Sequence, residues 1–143
     1  MSAKEEVLQV SKQFYGALNH MLKGDATMMA SIWSHTPGVD SMHPIGGRET
    51  GWAKVDDSFR QVAKLASGGE VRLSDQLVEV DGNMAYEVGI EKGQATFAGR
   101  KVPIEHRVTN VYRKEDGKWK MVHHHTDISP AMVEIIRTLP AKH

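Results

Sequence analysis

The 143-residue sequence predicts an α+β fold, because helical periodicity fills its first half and strand periodicity its second. In residues 4–66, apolar side chains recur at three- and four-residue steps, the spacing of one helix face. From residue 71 onward, alternating and β-branched segments are separated by short turn sequences. Helices that precede a run of antiparallel strands pack on one face of the sheet. The sequence therefore predicts one domain over residues 1–143, with a pocket at the open end of a curved sheet.

Three helices are expected before the sheet. The first spans residues 4–22 and ends at Gly24. Asp25 can cap a second, short helix that reaches about Trp33. The third runs from Thr50 to Ala66, after a loop rich in turn residues. The apolar faces consist of Val7, Val10, Phe14, Leu18 and Met21 in the first helix, and of Trp52, Val55, Phe59, Val62 and Ala66 in the third.

Four successive antiparallel strands are expected at residues 71–80, 84–97, 102–113 and 118–128. The turn sequences "DGN", "AGRK" and "KEDGK" separate them. The segment "VDSMH" in the preceding loop is compatible with a further short strand. Ser129 and Pro130 provide an N-cap and a proline at the first helical position, which predicts a short C-terminal helix.

Composition excludes several classes of function. Lys plus Arg and Asp plus Glu both number 18, so the net charge is zero, and binding to nucleic acid through bulk positive charge is not expected. The absence of cysteine excludes disulfides, thiolate metal sites and a cysteine nucleophile. The N-terminus lacks the apolar core of a signal peptide, and no apolar run approaches the length of a membrane span. These features predict a cytoplasmic protein without a membrane partner.

Three consecutive histidines occur in "WKMVHHHTD", near the end of the predicted sheet. Side chains alternate faces along a strand. Trp119 and Met121 mark one face as the buried one, and His123, His125 and Asp127 fall on it. His124 is then expected on the opposite face, unless a bulge near Asp127 inverts the end of the strand.

The turn at Asp116-Gly117 sets the register of the last two strands, with Arg113 expected opposite Lys118. This register places opposite each other Tyr112 and Trp119, Asn110 and Met121, Val108 and His123, and His106 and His125. The inward wall is therefore predicted to carry His106, Asn110, His123 and His125.

Three segments carry a family resemblance: "WSHTPGVDSMHPIGGRETGW", "DGNMAYEVGIEKG" and "RVTNVYRKEDGKWKMVHHHTD". The chain resembles the SnoaL-like, ketosteroid-isomerase-like branch of the nuclear transport factor two-like superfamily, from its first helix to Asp127. The resemblance implies a cone-like, strongly curved antiparallel sheet packed on three N-terminal helices, a cystatin-like α+β barrel with a deep pocket at the wide end. It also implies a homodimer through the outer sheet face, which Leu77, Val111 and Val122 would suit. The Trp-x-x-Val-His-x-His element resembles the association domain of calcium/calmodulin-dependent kinases.

The resemblance also implies a catalytic position. Ketosteroid isomerases carry their catalytic acid residue just before a Pro-x-Gly in the loop after the second helix, and "MHPIGG" places His43 there. The tyrosine donor of those enzymes is not clearly kept in the neighbourhood of Tyr15, which argues against steroid isomerisation.

Histidine suits general acid–base chemistry because its unperturbed pKa, about 6.5, lies near neutrality. We therefore expect His43, stiffened by Pro44, to transfer a proton. Asn110 can donate to a developing oxyanion together with an inward histidine. The predicted catalytic residues are His43, Asn110 and His125. The predicted ligand-binding residues are Trp33, Asp40, Trp52, Phe59, Tyr86, His106 and His123.

The sequence thus predicts a pocket protein that binds a small apolar molecule with polar handles and needs no cofactor. Its activity would be that of an acid–base isomerase, dehydratase or cyclase. One alternative is a non-catalytic module for ligand binding or dimerisation. Another is a metal protein in which His106, His123 and His125 hold the ion, because His-x-His on a strand puts two imidazoles on one face. The same histidines could instead only stiffen the wall.

Overall fold

A computed structural model describes residues 1–140 as helices followed by a meander of long strands. In chain order the elements are α1 (Ala3–Met21), a 3-10 helix (Thr27–Ser31), β1 (Asp40–Met42), β2 (Glu49–Thr50), α2 (Trp52–Leu65), β3 (Ala66–Asp81), β4 (Met84–Phe97), β5 (Arg100–Glu115), β6 (Lys118–Thr126) and α3 (Pro130–Arg137). This arrangement confirms the predicted α+β class. Among these helices, none combines the length and the hydropathy that a membrane crossing needs.

The strands form one curved sheet in the order β2-β1-β6-β5-β4-β3. Strands β3 to β6 pair antiparallel with their sequence neighbours, whereas β1 pairs parallel to β6. The short segment "VDSMH" therefore joins the sheet at its β6 edge. The second, short helix predicted after Asp25 is present as a 3-10 helix of five residues.

The helices α1 and α2 bury residues of the apolar faces that their periodicity predicts. α1 begins with a capping box, in which the Ser2 hydroxyl accepts from Glu5 N–H and the Glu5 side chain accepts from Ser2 N–H. Its apolar face packs against the inner face of the sheet, with Val7 and Phe14 fully buried. α2 buries Val55, Phe59 and Ala63 in the same core. The core thus lies between the helices and the concave side of the sheet.

Glycines allow β3 and β4 to approach each other closely where the sheet bends. A Cβ on Gly93 would lie 1.8 Å from the carbonyl oxygen of Glu70, and a Cβ on Gly69 would lie 2.5 Å from that of Gln94. Gly69 also has φ +143°, and β3 carries a bulge between Ala66 and Gly69. Bulges and glycines of this kind curve a sheet. β3 starts at Ala66 rather than at residue 71, where the sequence pattern predicted its start.

The predicted register of β5 and β6 is wrong. Asp116 and Gly117, with φ of 50° and 80°, form a two-residue turn that pairs Glu115 with Lys118. Positive φ at both central residues is typical of the type I′ hairpin turn. The pairing is shifted by two residues from the predicted one, so that Tyr112 lies opposite Met121. This shift alone keeps the faces of the strands unchanged.

A bulge at Val122 then inverts the faces of the histidines. Beyond it, Val111 pairs with His123 and Asn110 pairs with His124. His124 therefore lies on the inner face and is 2% exposed, whereas His123 and His125 lie on the outer face. The prediction of two inward histidines and one outward histidine is reversed. One extra residue in a strand is sufficient for this, because side chains alternate with a period of two.

Candidate functional site

A pocket with a volume of ≈ 70 Å³ lies between the helices and the inner face of the sheet. Its lining is mostly apolar and comes from α1, the loop after β1, α2, the strands β3 to β6, and α3, which contributes Met132, Ile135 and Ile136. By volume it holds roughly five water-sized groups, and it is partly open to solvent, so a larger ligand would extend through the opening. A pocket of this kind suits a small, largely apolar ligand.

Among residues 1–140, four ionisable side chains line this apolar pocket: His43, Glu91, His106 and His124. They come from four separate segments, namely the loop after β1, then β4, β5 and β6. All four are buried, with relative exposures from 2% to 7%. Titratable groups with convergent placement in an apolar cleft are typical of active sites.

Glu91 and His106 form a hydrogen-bonded pair in the pocket wall. They lie directly opposite each other on β4 and β5, with 2.6 Å between His106 Nε2 and Glu91 Oε1. The Tyr15 hydroxyl donates to the other carboxylate oxygen at 2.9 Å. Burial and the charge of Glu91 raise the pKa of Tyr15, which keeps its hydroxyl neutral and donating. Both oxygens of Glu91 are therefore held, and the His106 ring is fixed through Nε2.

His124 is held by Asn110, its neighbour on β5. His124 Nδ1 lies 2.6 Å from Asn110 Oδ1. The Asn110 amide nitrogen donates both of its protons inside the protein, to the Tyr15 hydroxyl at 3.1 Å and to Glu87 Oε1 at 2.9 Å. Burial, together with the charges of the other histidines, lowers the pKa of His124. His124 is therefore a neutral imidazole with its proton on Nδ1.

His43 is held between α2 and β1. The Ser58 hydroxyl donates to the Val55 carbonyl oxygen at 2.6 Å, so it accepts from His43 Nε2–H, which lies 2.7 Å away. The other nitrogen, Nδ1, lies 3.4 Å from the Ser41 hydroxyl. Burial lowers the pKa of His43 to about 4. His43 thus lines the pocket as a neutral ring with a partner at each nitrogen.

Two ring nitrogens in the pocket remain without a partner among residues 1–140: Nδ1 of His106 and Nε2 of His124. Within the same residues, the fully buried polar side-chain atoms that lack partners are Trp33 Nε1, Asp56 Oδ1, Trp119 Nε1 and Thr126 Oγ1. The two histidine nitrogens are not in this group, so each keeps some accessible surface, and both residues line the pocket.

The structure brings three of the ten predicted site residues into the pocket: His43, Phe59 and His106. Asn110 lies behind the wall, where its amide protons are already used. Trp33 packs against Phe59 and Trp52 packs against Trp33, and both tryptophans lie outside the pocket lining.

The remaining predicted residues lie on the outer face of the sheet, and the bulge in β6 is what turns His123 and His125 outward. His123 donates from Nδ1 to Asp40 at 2.6 Å, and its ring lies against that of His125. Tyr86 is 45% exposed. His106 is thus separated by the sheet from His123 and His125, and the three cannot share a metal ion. In the described part of the chain, no group of three or more metal-ligating side chains has a geometry that fits a metal.

Glu91 and His124 were not identified from the sequence as pocket residues. The sequence also did not predict that Tyr15 is buried and hydrogen-bonded to Glu91. A signal for Glu91 was present in "FAGR", a two-residue turn in which Ala98 and Gly99 both have positive φ. Such a turn pairs Phe97 with Arg100, and counting back places Glu91 opposite His106 and Glu87 opposite Asn110. No turn marks the bulge at Val122, so the inward position of His124 had no comparable signal.

A curved sheet packed on helices, with an apolar pocket between them, is the architecture of a nuclear transport factor two-like protein. A family model described as the SnoaL-like domain matches residues 7–132, and the chain belongs to this family. No curated protein sequence matches the chain well enough to indicate homology.

Solved structures of similar shape agree with this assignment. One is a candidate dehydratase of the NTF2-like family from Streptomyces avermitilis, 26% identical with a TM-score of 0.76, over 88% of this chain and 95% of that one. Another is an NTF2-like superfamily protein from Salmonella enterica, 22% identical with a TM-score of 0.77, over 87% and 89%. A candidate calcium/calmodulin-dependent kinase II association domain from Thiobacillus denitrificans is 23% identical with a TM-score of 0.68, over 84% and 92%.

Proposed function

We propose that this protein is a cofactor-independent acid–base enzyme acting on a small, largely apolar molecule. The observation that carries the proposal is the His106–Glu91 pair, with 2.6 Å between Nε2 and Oε1, in the wall of an apolar pocket. A carboxylate that holds one imidazole nitrogen orients the ring and stabilises the imidazolium that forms when the other nitrogen takes a proton. His106 Nδ1 is that other nitrogen.

The proposed reaction cycle moves one proton and returns it. His106 Nδ1 removes a proton from the substrate and becomes imidazolium beside the Glu91 carboxylate. The same proton then returns to another substrate atom or to a leaving hydroxyl, which restores neutral His106. An isomerase, a dehydratase and a cyclase can all use this sequence, and the similarity to a candidate dehydratase supports the class.

His43, the proton-transfer residue predicted from the sequence, has a different part in this proposal. It shapes the pocket as a neutral ring, because Ser58 and Ser41 hold its two nitrogens. Its T-shaped contact with Phe59, with ring centroids 5.0 Å apart, fits a packed wall. In this proposal His106, and not His43, transfers the proton.

The proposal is tested with 5-nitrobenzisoxazole, whose ring opens when a base removes its C3 proton. We expect saturable turnover that is at least about 100-fold faster than the reaction with equimolar free imidazole at the same pH, because one positioned base typically contributes about 10²–10⁴-fold. A small ring that occupies the pocket, such as toluene, should inhibit competitively. A rate that matches free imidazole would contradict the proposal and favour a non-catalytic binding module.

We also propose that the chain forms a homodimer through the outer face of the sheet. Leu77 and Tyr86, on β3 and β4, are 47% and 45% exposed there. Val88 lies opposite Leu77, and Val111 lies opposite Tyr86, which makes the apolar area continuous across three strands. Exposed apolar area of this kind is typical of an association surface.

The expected mass in analytical ultracentrifugation is therefore twice 15.9 kDa. Leu77→Glu should shift the protein to monomer, because it places a charge inside the interface. Met28→Glu is the matched control, since Met28 is similarly exposed, at 42%, but lies on the 3-10 helix. A wild-type monomer at micromolar concentration would contradict the dimer.

A further inference from the structure

We infer that the pocket selects a neutral ligand bearing a hydroxyl group, an alcohol or a phenol, which donates its hydrogen bond to His124 Nε2. This inference deepens the proposed function, on which it rests, by naming the substrate class of the same pocket. It depends on which nitrogen of His124 carries the proton, and a buried chain of hydrogen bonds determines that.

The chain begins at Glu87, which is completely buried on β4. Three groups donate to its carboxylate: the Tyr112 hydroxyl at 2.7 Å, the Gln76 amide at 2.6 Å and the Asn110 amide at 2.9 Å. A carboxylate only accepts, so three donors suit its ionised form. Burial and Glu87 also raise the pKa of Tyr112, which keeps that hydroxyl a donor.

Glu87 fixes the orientation of the Asn110 amide. The amide nitrogen must face Glu87 Oε1, and it also donates to the Tyr15 hydroxyl at 3.1 Å. The amide oxygen therefore faces His124, 2.6 Å from Nδ1. An amide oxygen cannot donate, so Nδ1 carries the proton and Nε2 carries the lone pair.

The environment of His124 prevents it from becoming a donor at Nε2. The ring is 2% exposed, and burial lowers its pKa, as do the charges of His43, His106, His123 and His125. Both His43 and His106 face it across the pocket, and Phe14 packs on its ring from α1. His124 thus offers a fixed acceptor to the cavity.

A fixed acceptor discriminates between ligand groups. A hydroxyl pairs with it, whereas a carbonyl or ether oxygen would place one lone pair against another and leave a buried acceptor unpaired. Carboxylate ligands are disfavoured as well, because Glu91 lines the same pocket and neither Lys nor Arg does so among the described residues. The class that remains is a neutral hydroxylated molecule with about one ring of apolar surface.

The test uses phenol, anisole and benzoate as probes, titrated into the ¹⁵N-labelled protein while the side-chain nitrogen resonances of the histidines are followed. We expect phenol to bind at least about tenfold more tightly than anisole, the scale of one lost hydrogen bond. His124 should be protonated at Nδ1 in the free protein, and its Nε2 resonance should shift when phenol binds. Benzoate should bind more weakly than phenol.

Phenol and anisole differ in solubility as well as in hydrogen bonding. The variant His124→Phe isolates the contribution of the hydrogen bond, because it keeps an aromatic ring and removes the acceptor nitrogen. The ratio of anisole to phenol dissociation constants should fall about tenfold in this variant. Equal binding of phenol and anisole by the wild type, tighter binding of benzoate, a proton on Nε2, or no pocket shift with phenol would each overturn the inference. The turnover of 5-nitrobenzisoxazole depends on His106 and not on a ligand hydroxyl. A failure of the predicted preference for phenol is therefore distinguishable from a failure of the proposed acid–base function.

Discussion

Replacing His106 with glutamine is expected to lower the turnover of 5-nitrobenzisoxazole by about 10²-fold, the usual contribution of a positioned base. Glutamine keeps a polar group of similar length that can donate to Glu91 Oε1, so the buried carboxylate keeps its hydrogen bond. It cannot accept a proton at neutral pH, and the rate should fall to that of the pocket without a base. The measurement is the initial rate at saturating probe.

Two further variants make this result specific to the pair. His20→Gln removes an exposed histidine at the end of α1 that does not line the pocket, and should leave the rate unchanged. Glu91→Gln should lower the rate about tenfold or more, because an amide stabilises the imidazolium less than a carboxylate does. If His106→Gln kept more than a third of the wild-type rate, the base would lie elsewhere.

The second large effect is a loss of folding stability in mild acid. Burial lowers the pKa of His43 from 6.5 to about 4 in the folded protein. The unfolded chain therefore binds this proton below about pH 6.5, whereas the folded protein binds it only near pH 4. Stability is complete above pH 6.5 and decreases as the pH falls through this window. At 1.36 kcal/mol per pKa unit, His43 alone accounts for about 3 kcal/mol, and His124 acts in the same direction.

Urea unfolding at pH 7.5 and pH 4.5, at a fixed protein concentration, measures this loss. Carboxylates also respond to acid, so the informative quantity is the comparison with His43→Gln. That variant keeps a polar side chain beside Ser58 and has no imidazole to protonate. Its free energy of unfolding should decrease by about 2–3 kcal/mol less than that of the wild type over the same range. Equal decreases in the two proteins would show that folding does not lower the pKa of His43.

Much of the fold could be predicted from the sequence because it rests on local patterns. The apolar spacing of α1 and α2 and the alternation in β4 and β5 each identify an element directly. The two-residue turns Ala98-Gly99 and Asp116-Gly117 also fix the pairing of three strands once they are recognised. The short helix predicted after Asp25 is present as a 3-10 helix of five residues, and an N-cap signal alone does not set the type or the length of such a helix.

The site was less predictable from the sequence, because it depends on a one-residue bulge in β6 and on hydrogen bonds between side chains that are distant in the sequence. The bulge at Val122 exchanges His124 for His123 and His125 on the inner face, and no residue type marks it. The contacts of Tyr15 with Glu91 and Asn110 join residues separated by 76 and 95 positions, so local patterning carries no information about them. His43 was found from the family resemblance, whereas its hydrogen bond to Ser58 required the packing of α2.

The central claim is that proton transfer belongs to His106, paired with Glu91, rather than to His43. The most direct measurement is the pH–rate profile of 5-nitrobenzisoxazole turnover for the wild type, His106→Gln and His43→Gln, over the range in which all three stay folded. We expect the rates of the wild type and of His43→Gln to fall on the acid side of the profile as one base is protonated. His106→Gln should lose this pH dependence together with most of the rate. A profile abolished by His43→Gln and preserved in His106→Gln would contradict it.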